Sequence, residues 1–179
     1  LDTSTGIKDA RYQTMQRLSK LDPDKAADWV EQQPAGTSRD HEIIMVGSEL
    51  MQRDGQSGID WFMAQEMVAD DMAGGRASRI VYHLATDTPE KAAEWIRQQP
   101  DDSNRDTAEV SMAWIYQQRN DWDQGFAWLG QVEDASVQGE ALEKMLKNGW
   151  DKEAGALKPE VLQAAEAAGL EEAAGAYQP

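Results

Sequence analysis

The chain has 179 residues, enough for one substantial domain with a buried core. It carries 17 Lys and Arg against 33 Asp and Glu, a net charge of −16. That balance argues against a nucleic-acid or anionic-membrane surface, because both are bound through clustered basic side chains. Disulfide staples and thiolate metal sites are excluded by the absence of cysteine, which leaves either redox compartment open.

The first predicted helix covers 7–20 and ends at the Asp22-Pro23 turn. A second covers 23–33 and contains the phrase AADWVEQQP, Ala26 to Pro34, with Pro34 ending it. Thr37 and Asp40 have the spacing of a helix N-cap and an acidic third helical residue, opening a helix over 38–53. Its apolar positions Ile43, Val46, Gly47 and Leu50 fall on one face. After the Asp54-Gly55 turn comes a helix over 57–68 with Gly58-Ile-Asp-Trp-Phe62. The next pair, 75–86 and 89–99, turns at Thr88-Pro89 and contains AAEWIRQQP, Ala92 to Pro100. Ser103 and Asp106 repeat the capping spacing ahead of a pair at 104–119 and 122–132. A fifth pair is predicted over 135–148 and 151–158, because Lys147-Asn-Gly-Trp-Asp151 echoes Arg119-Asn-Asp-Trp-Asp123; Pro159 then cuts its second helix short. The Ala-rich stretch from Glu160 to Ala176 reads as a capping helix interrupted at Gly169.

The two nine-residue phrases stand 92 − 26 = 66 residues apart, and the true repeat is about half that. Trp29, Trp61, Trp95 and Trp128 succeed one another at steps of 32, 34 and 33. Each sits three residues after a small residue and directly before an apolar one, which favours core packing over a ladder of indoles for a ligand. Strand alternation is absent. The expected architecture is all-α, with residues 1–158 as tandem helical hairpins and 159–179 as a cap and tail continuous with them.

Ala113-Trp-Ile-Tyr116, with Asn120-Asp-Trp-Asp-Gln-Gly125-Phe-Ala-Trp-Leu129 after it, resembles a tetratricopeptide unit. Ala113, Tyr116, Gly125 and Leu129 match the family's small, aromatic, small and large apolar positions. Elsewhere the pattern thins: Leu50 stands where the aromatic would, Met15 and Val81 where the small residue would, and Pro34 and Pro100 come early. HEAT-type repeats are the nearest competitor, disfavoured by the short unit. The resemblance implies a right-handed α-solenoid of about five antiparallel helix pairs whose first helices line a concave surface. It assigns to that surface Gln16, Ile44, Ser48, Met51, Tyr82, Val110, Trp114 and Gln117. Tyr82 and Trp114 either line the groove or pack against the next unit. Trp122 and Trp150, at equivalent turns, are expected to pack against neighbouring turns.

No catalytic constellation is legible. The carboxylates are scattered, His41 and His83 fall in different units, and the acidic pairs Asp70-Asp71 and Asp101-Asp102 lie in links where such pairs cap helices or face water. Asp121-x-Asp123-x-Gly125 fails as a calcium loop, since glycine is needed one position later and Val132 stands where the closing Glu belongs. No metal or cofactor is expected. No apolar run approaches the roughly 18 residues of a membrane span. Residues 121–179 hold 12 acidic and 4 basic side chains, which either steer a partner with basic patches or keep the protein soluble. Leu1 is not an initiator methionine and no apolar leader stands before it, so a processed chain or excised piece is expected; acidity and the lack of cysteine fit an extracytoplasmic bacterial setting. The expected function is a non-catalytic protein- or peptide-binding scaffold. The rival reading is the helical accessory domain of a larger, cell-envelope enzyme, or an enzyme whose site converges in a way that sequence order hides.

Overall fold

The computed structural model describes the backbone of residues 3–68 and 70–177, and the side chains of 10–68, 75–86 and 88–177. Among these the chain is all-α, with eleven helices and a single pair of two-residue strands. It divides into two compact units, Leu1–His83 and Leu84–Pro179.

The first unit contains α1 (Thr3–Leu21), α2 (Pro23–Glu31), α3 (Thr37–Asp54), α4 (Gln56–Ala64) and most of α5 (Asp70–Asp87). Asp22 caps α2 by accepting the Lys25 N–H at 3.2 Å, and Pro23 supplies a first residue that needs no N–H partner. Buried Ala26, Ala27 and Val30 form its inner face, and α1, α2 and α3 pack on one another. The crossing of α3 and α4 depends on two glycines. A Cβ on Gly58 would stand 2.4 Å from the Leu50 carbonyl carbon and 2.5 Å from Met51 N, while one on Gly47 would enter the buried ring of Phe62. The small positions of the repeat are thus where backbones meet.

The second unit contains the end of α5, α6 (Pro89–Arg97), α7 (Ser103–Gln118), α8 (Trp122–Leu129), α9 (Ala135–Asn148), β1 (Trp150–Asp151), β2 (Ala156–Leu157), α10 (Pro159–Ala167) and α11 (Glu171–Ala176). Asp102, Asp121 and Asp134 cap α7, α8 and α9 with their carboxylates. α7 packs on α6, α8 and α9, and α8 on α9 and α10. Gly125 is the close approach here, its missing Cβ 3.2 Å from both the Ala113 carbonyl oxygen and the methyl of Met145.

A polar device explains the repeated phrase. Gln33, Gln65, Gln99 and Gln131 each donate a side-chain N–H to the carbonyl four residues earlier, on Trp29, Trp61, Trp95 and Ala127, at 3.0–3.3 Å. Each amide satisfies a carbonyl in the last turn, where the helix has no further N–H to offer. The next helix closes the same end: Arg39 donates to the Val30 carbonyl, Arg76 to those of Phe62, Met63 and Gln65, and Gln138 to those of Leu129 and Val132.

Three expectations are corrected. The N-caps of α3 and α7 are Gly36 and Asp102, one residue earlier than Thr37 and Ser103. Asp40 and Asp106 therefore sit one step further into their helices, and their carboxylates hold the linker N–H groups of Val68 (3.1 Å) and Glu133 (2.9 Å) instead. Secondly, 151–158 is no helix. Trp150 pairs with Leu157 and Asp151 with Ala156 in an antiparallel hairpin, closed where Asp151 accepts the N–H groups of Glu153 and Ala154 and where Gly155 takes φ +63. Pro159 begins α10 rather than ending a helix. Thirdly, Trp95 and Trp128 are 7% and 8% exposed, but Trp29 and Trp61 are only half-buried. The Arg11 guanidinium covers the Trp29 ring at 4.8 Å while gripping buried Glu42 through two bonds of 2.7 and 2.8 Å; Trp61 donates its indole N–H to Glu31 at 2.7 Å. Polar partners at the rim take the place of apolar neighbours. The side chains of Asp70 and Asp71 lie outside the described residues.

Candidate functional site

Three helices of the first unit present successive turns to one depression of about 490 Å³. Tyr12, Gln16 and Lys20 come from α1, His41, Ile44, Met45, Ser48 and Glu49 from α3, and Gly75 and Arg79 from α5. Spacings of three and four keep each set on one helix face. Ile44 and Met45 are half-buried, and Tyr12 remains exposed, giving the depression an apolar lining. Its polar groups are partly committed. Ser48 donates its hydroxyl to the Ile44 carbonyl at 2.8 Å, which leaves the oxygen to accept. His41 Nδ1 lies 2.6 Å from the Thr37 carbonyl oxygen, which can only accept, so Nδ1 donates there. Among the described lining residues, two cations, Lys20 and Arg79, share the depression with one carboxylate, Glu49.

Of the predicted groove residues, Gln16, Ile44 and Ser48 are brought together here. Met51, at 2% exposure, belongs to the core of α3, because its position points to the α4 crossing rather than outward. Tyr82 is 42% exposed on α5 and does not line the depression; Val110, Trp114 and Gln117 are half-buried on α7 in the second unit. Sequence reasoning missed Tyr12, Lys20, His41, Met45, Glu49 and Arg79. A signal for two of them was available, since Tyr12 and Lys20 stand one turn to either side of Gln16.

A second, smaller depression of about 280 Å³ lies against α2 and α4 and is acidic, with Asp24, Asp28, Glu31 and Asp54 around Trp61. Three of its four carboxylates are engaged structurally: Asp24 and Asp54 hold Arg53, whose pKa they raise, and Glu31 holds the Trp61 indole. In the second unit, Glu109 is buried, which raises its pKa, although a bond from Arg105 Nε at 3.0 Å opposes the shift. Asp101 also pairs with Arg105, at 3.3 Å. Among the described residues no three His, Asp or Glu side chains gather as a metal ion would require, and no helix is long and apolar enough to cross a membrane.

Fold and site together describe an all-α protein whose described residues form a mixed apolar and cationic depression and a smaller acidic one. No protein-family model, no curated protein and no solved structure matches the chain.

Proposed function

We propose that the chain is a tetratricopeptide-like solenoid of antiparallel helix pairs, acting as a non-catalytic scaffold that holds a protein or peptide segment on the face of its first helices. The packing of α1 on α3, of α7 on α9 and of α8 on α10 supports nested pairs within each unit, with like helices adjacent. The observation that carries the binding reading is the depression itself. It is lined by the first helices α1, α3 and α5, and Gln16, Ile44 and Ser48 stand in it as the repeat register requires. An open cleft with apolar floor residues and amide and hydroxyl groups suits an extended segment, whose backbone needs hydrogen-bond partners and whose side chains need pockets.

The test is to screen the intact chain against arrayed nine-residue peptides and map the strongest binder by amide chemical-shift perturbation. Shifts should concentrate at Gln16, Ile44, Ser48 and Arg79. Shifts gathered around Asp24, Asp28 and Trp61, or an array without a binder, would overturn the reading.

A further inference from the structure

The described Lys and Arg side chains of the first unit divide into two groups. Arg11 binds Glu42, Lys25 binds Asp22, Arg53 binds Asp24 and Asp54, and Arg39 and Arg76 cap helix ends through backbone carbonyls. Arg17, Lys20 and Arg79 have no ion pair or hydrogen bond among the described residues, and two of these three line the depression. Lys20 and Arg79 are both exposed, and Glu49 is the one carboxylate among the described residues that line the recess with them.

We propose that this depression recognises an extended acidic peptide segment, with Lys20 and Arg79 taking its carboxylates and Tyr12, Ile44 and Met45 an apolar side chain; this rests on the peptide-binding reading above. Charge complementarity is local. The net charge of −16 repels an acidic partner at long range, so attraction is felt only inside a Debye length, within about 10 Å at 0.1 M salt. Glu49 sets the register, since a ligand carboxylate placed against it is repelled while one beside Lys20 or Arg79 is held. The acidic depression at Asp24 and Asp28 offers no such discrimination in favour of an acidic ligand.

The experiment uses two sets of immobilised nine-residue peptides matched in apolar residues, one bearing Asp and Glu and the other Asn and Gln at the same positions. The strongest binder of each set, labelled with fluorescein, is titrated by anisotropy against the full chain, K20E/R79E, K20Q/R79Q and Y12S/M45S, with far-UV circular dichroism checking the fold of each. The acidic probe should bind at least roughly tenfold more tightly than its amide counterpart, and should lose roughly tenfold in K20Q/R79Q and more in K20E/R79E. Raising the salt from about 0.05 to about 0.5 M should narrow the gap between probes. Equal binding of both probes, lost in Y12S/M45S but kept in the charge variants, overturns the acidic specificity and leaves peptide binding standing. Binding of the acidic probe that ignores Lys20 and Arg79 also overturns it. If neither set contains a binder, the specificity and the peptide-binding reading fall together.

Discussion

Gly58→Ala and Gly139→Ala make the same chemical change in two helices, and the structure predicts opposite signs. On an exposed helix, alanine is favoured over glycine by up to about 1 kcal/mol, because glycine loses more backbone freedom on folding. Gly139 is exposed on α9, and a Cβ there meets nothing within 4 Å, so that gain should appear whole. At Gly58 a Cβ would stand 2.4 Å from the Leu50 carbonyl carbon, 2.5 Å from its oxygen and 2.5 Å from Met51 N. These atoms are helix backbone, which cannot rotate away as a side chain can, so α3 and α4 must separate by about 1 Å to restore ordinary contact. Separation loosens the packing around Ile59 and Phe62, both buried in that crossing. Overpacking of this sort costs about 1–3 kcal/mol, and the backbone contacts argue for the upper part of the range. Net of the propensity gain, Gly58→Ala should destabilise by about 1–2 kcal/mol while Gly139→Ala stabilises by up to about 1 kcal/mol. Urea unfolding monitored by tryptophan fluorescence and circular dichroism reads both as shifts of the midpoint. A Gly58→Ala midpoint at or above that of the parent chain would mean that the crossing has slack, and that the small residue is not what sets the approach of the helices.

The glutamine caps should each contribute about 0.5–1.5 kcal/mol. Gln33→Ala and Gln99→Ala should therefore lower the urea midpoint singly and add nearly independently when combined, whereas exchanging their neighbours Gln32 and Gln98 should leave it unchanged. Glu109 is held with its pKa raised, chiefly by desolvation, so its protonated form favours folding. That contribution is complete below the ordinary glutamate value of 4.5 and is lost as pH rises through the raised folded value. Glu109→Gln should accordingly gain on the parent chain as pH rises above 4.5, and a stability difference that stays flat with pH would refute the sign.

The helices were legible because their signals are periodic and redundant: a proline, a tryptophan and a small residue recur together, so an error at one position is corrected by the others. Chain ends of helices carry no such redundancy. Thr37 and Ser103 look like caps, but Asp102 binds two N–H groups and wins at α7, while Gly36 opens α3 with no side-chain cap at all. The echo around Trp150 misleads for a related reason. It identifies a turn correctly but does not specify the conformation of residues 151–158, which a left-handed Gly155 and the Asp151 carboxylate decide in favour of a hairpin.

Repetition also hides divergence of role, as the tryptophans make plain. All four occupy one sequence position, yet Trp95 and Trp128 are enclosed while Trp29 and Trp61 lean on Arg11 and Glu31, residues of elements other than their own. The surroundings of a repeated residue are supplied by its neighbours in space, and those vary where the repeat pattern does not constrain them. The same holds with more force for the depression. Its side chains face outward, where no apolar period marks them, and its charge comes from Lys20 and Arg79, which are conspicuous only once every other described cation of the unit except Arg17 has been matched to a partner. Fold is written in what recurs along this chain. The candidate site lies in what is left over after the recurring interactions are satisfied, and that remainder can be read only in three dimensions.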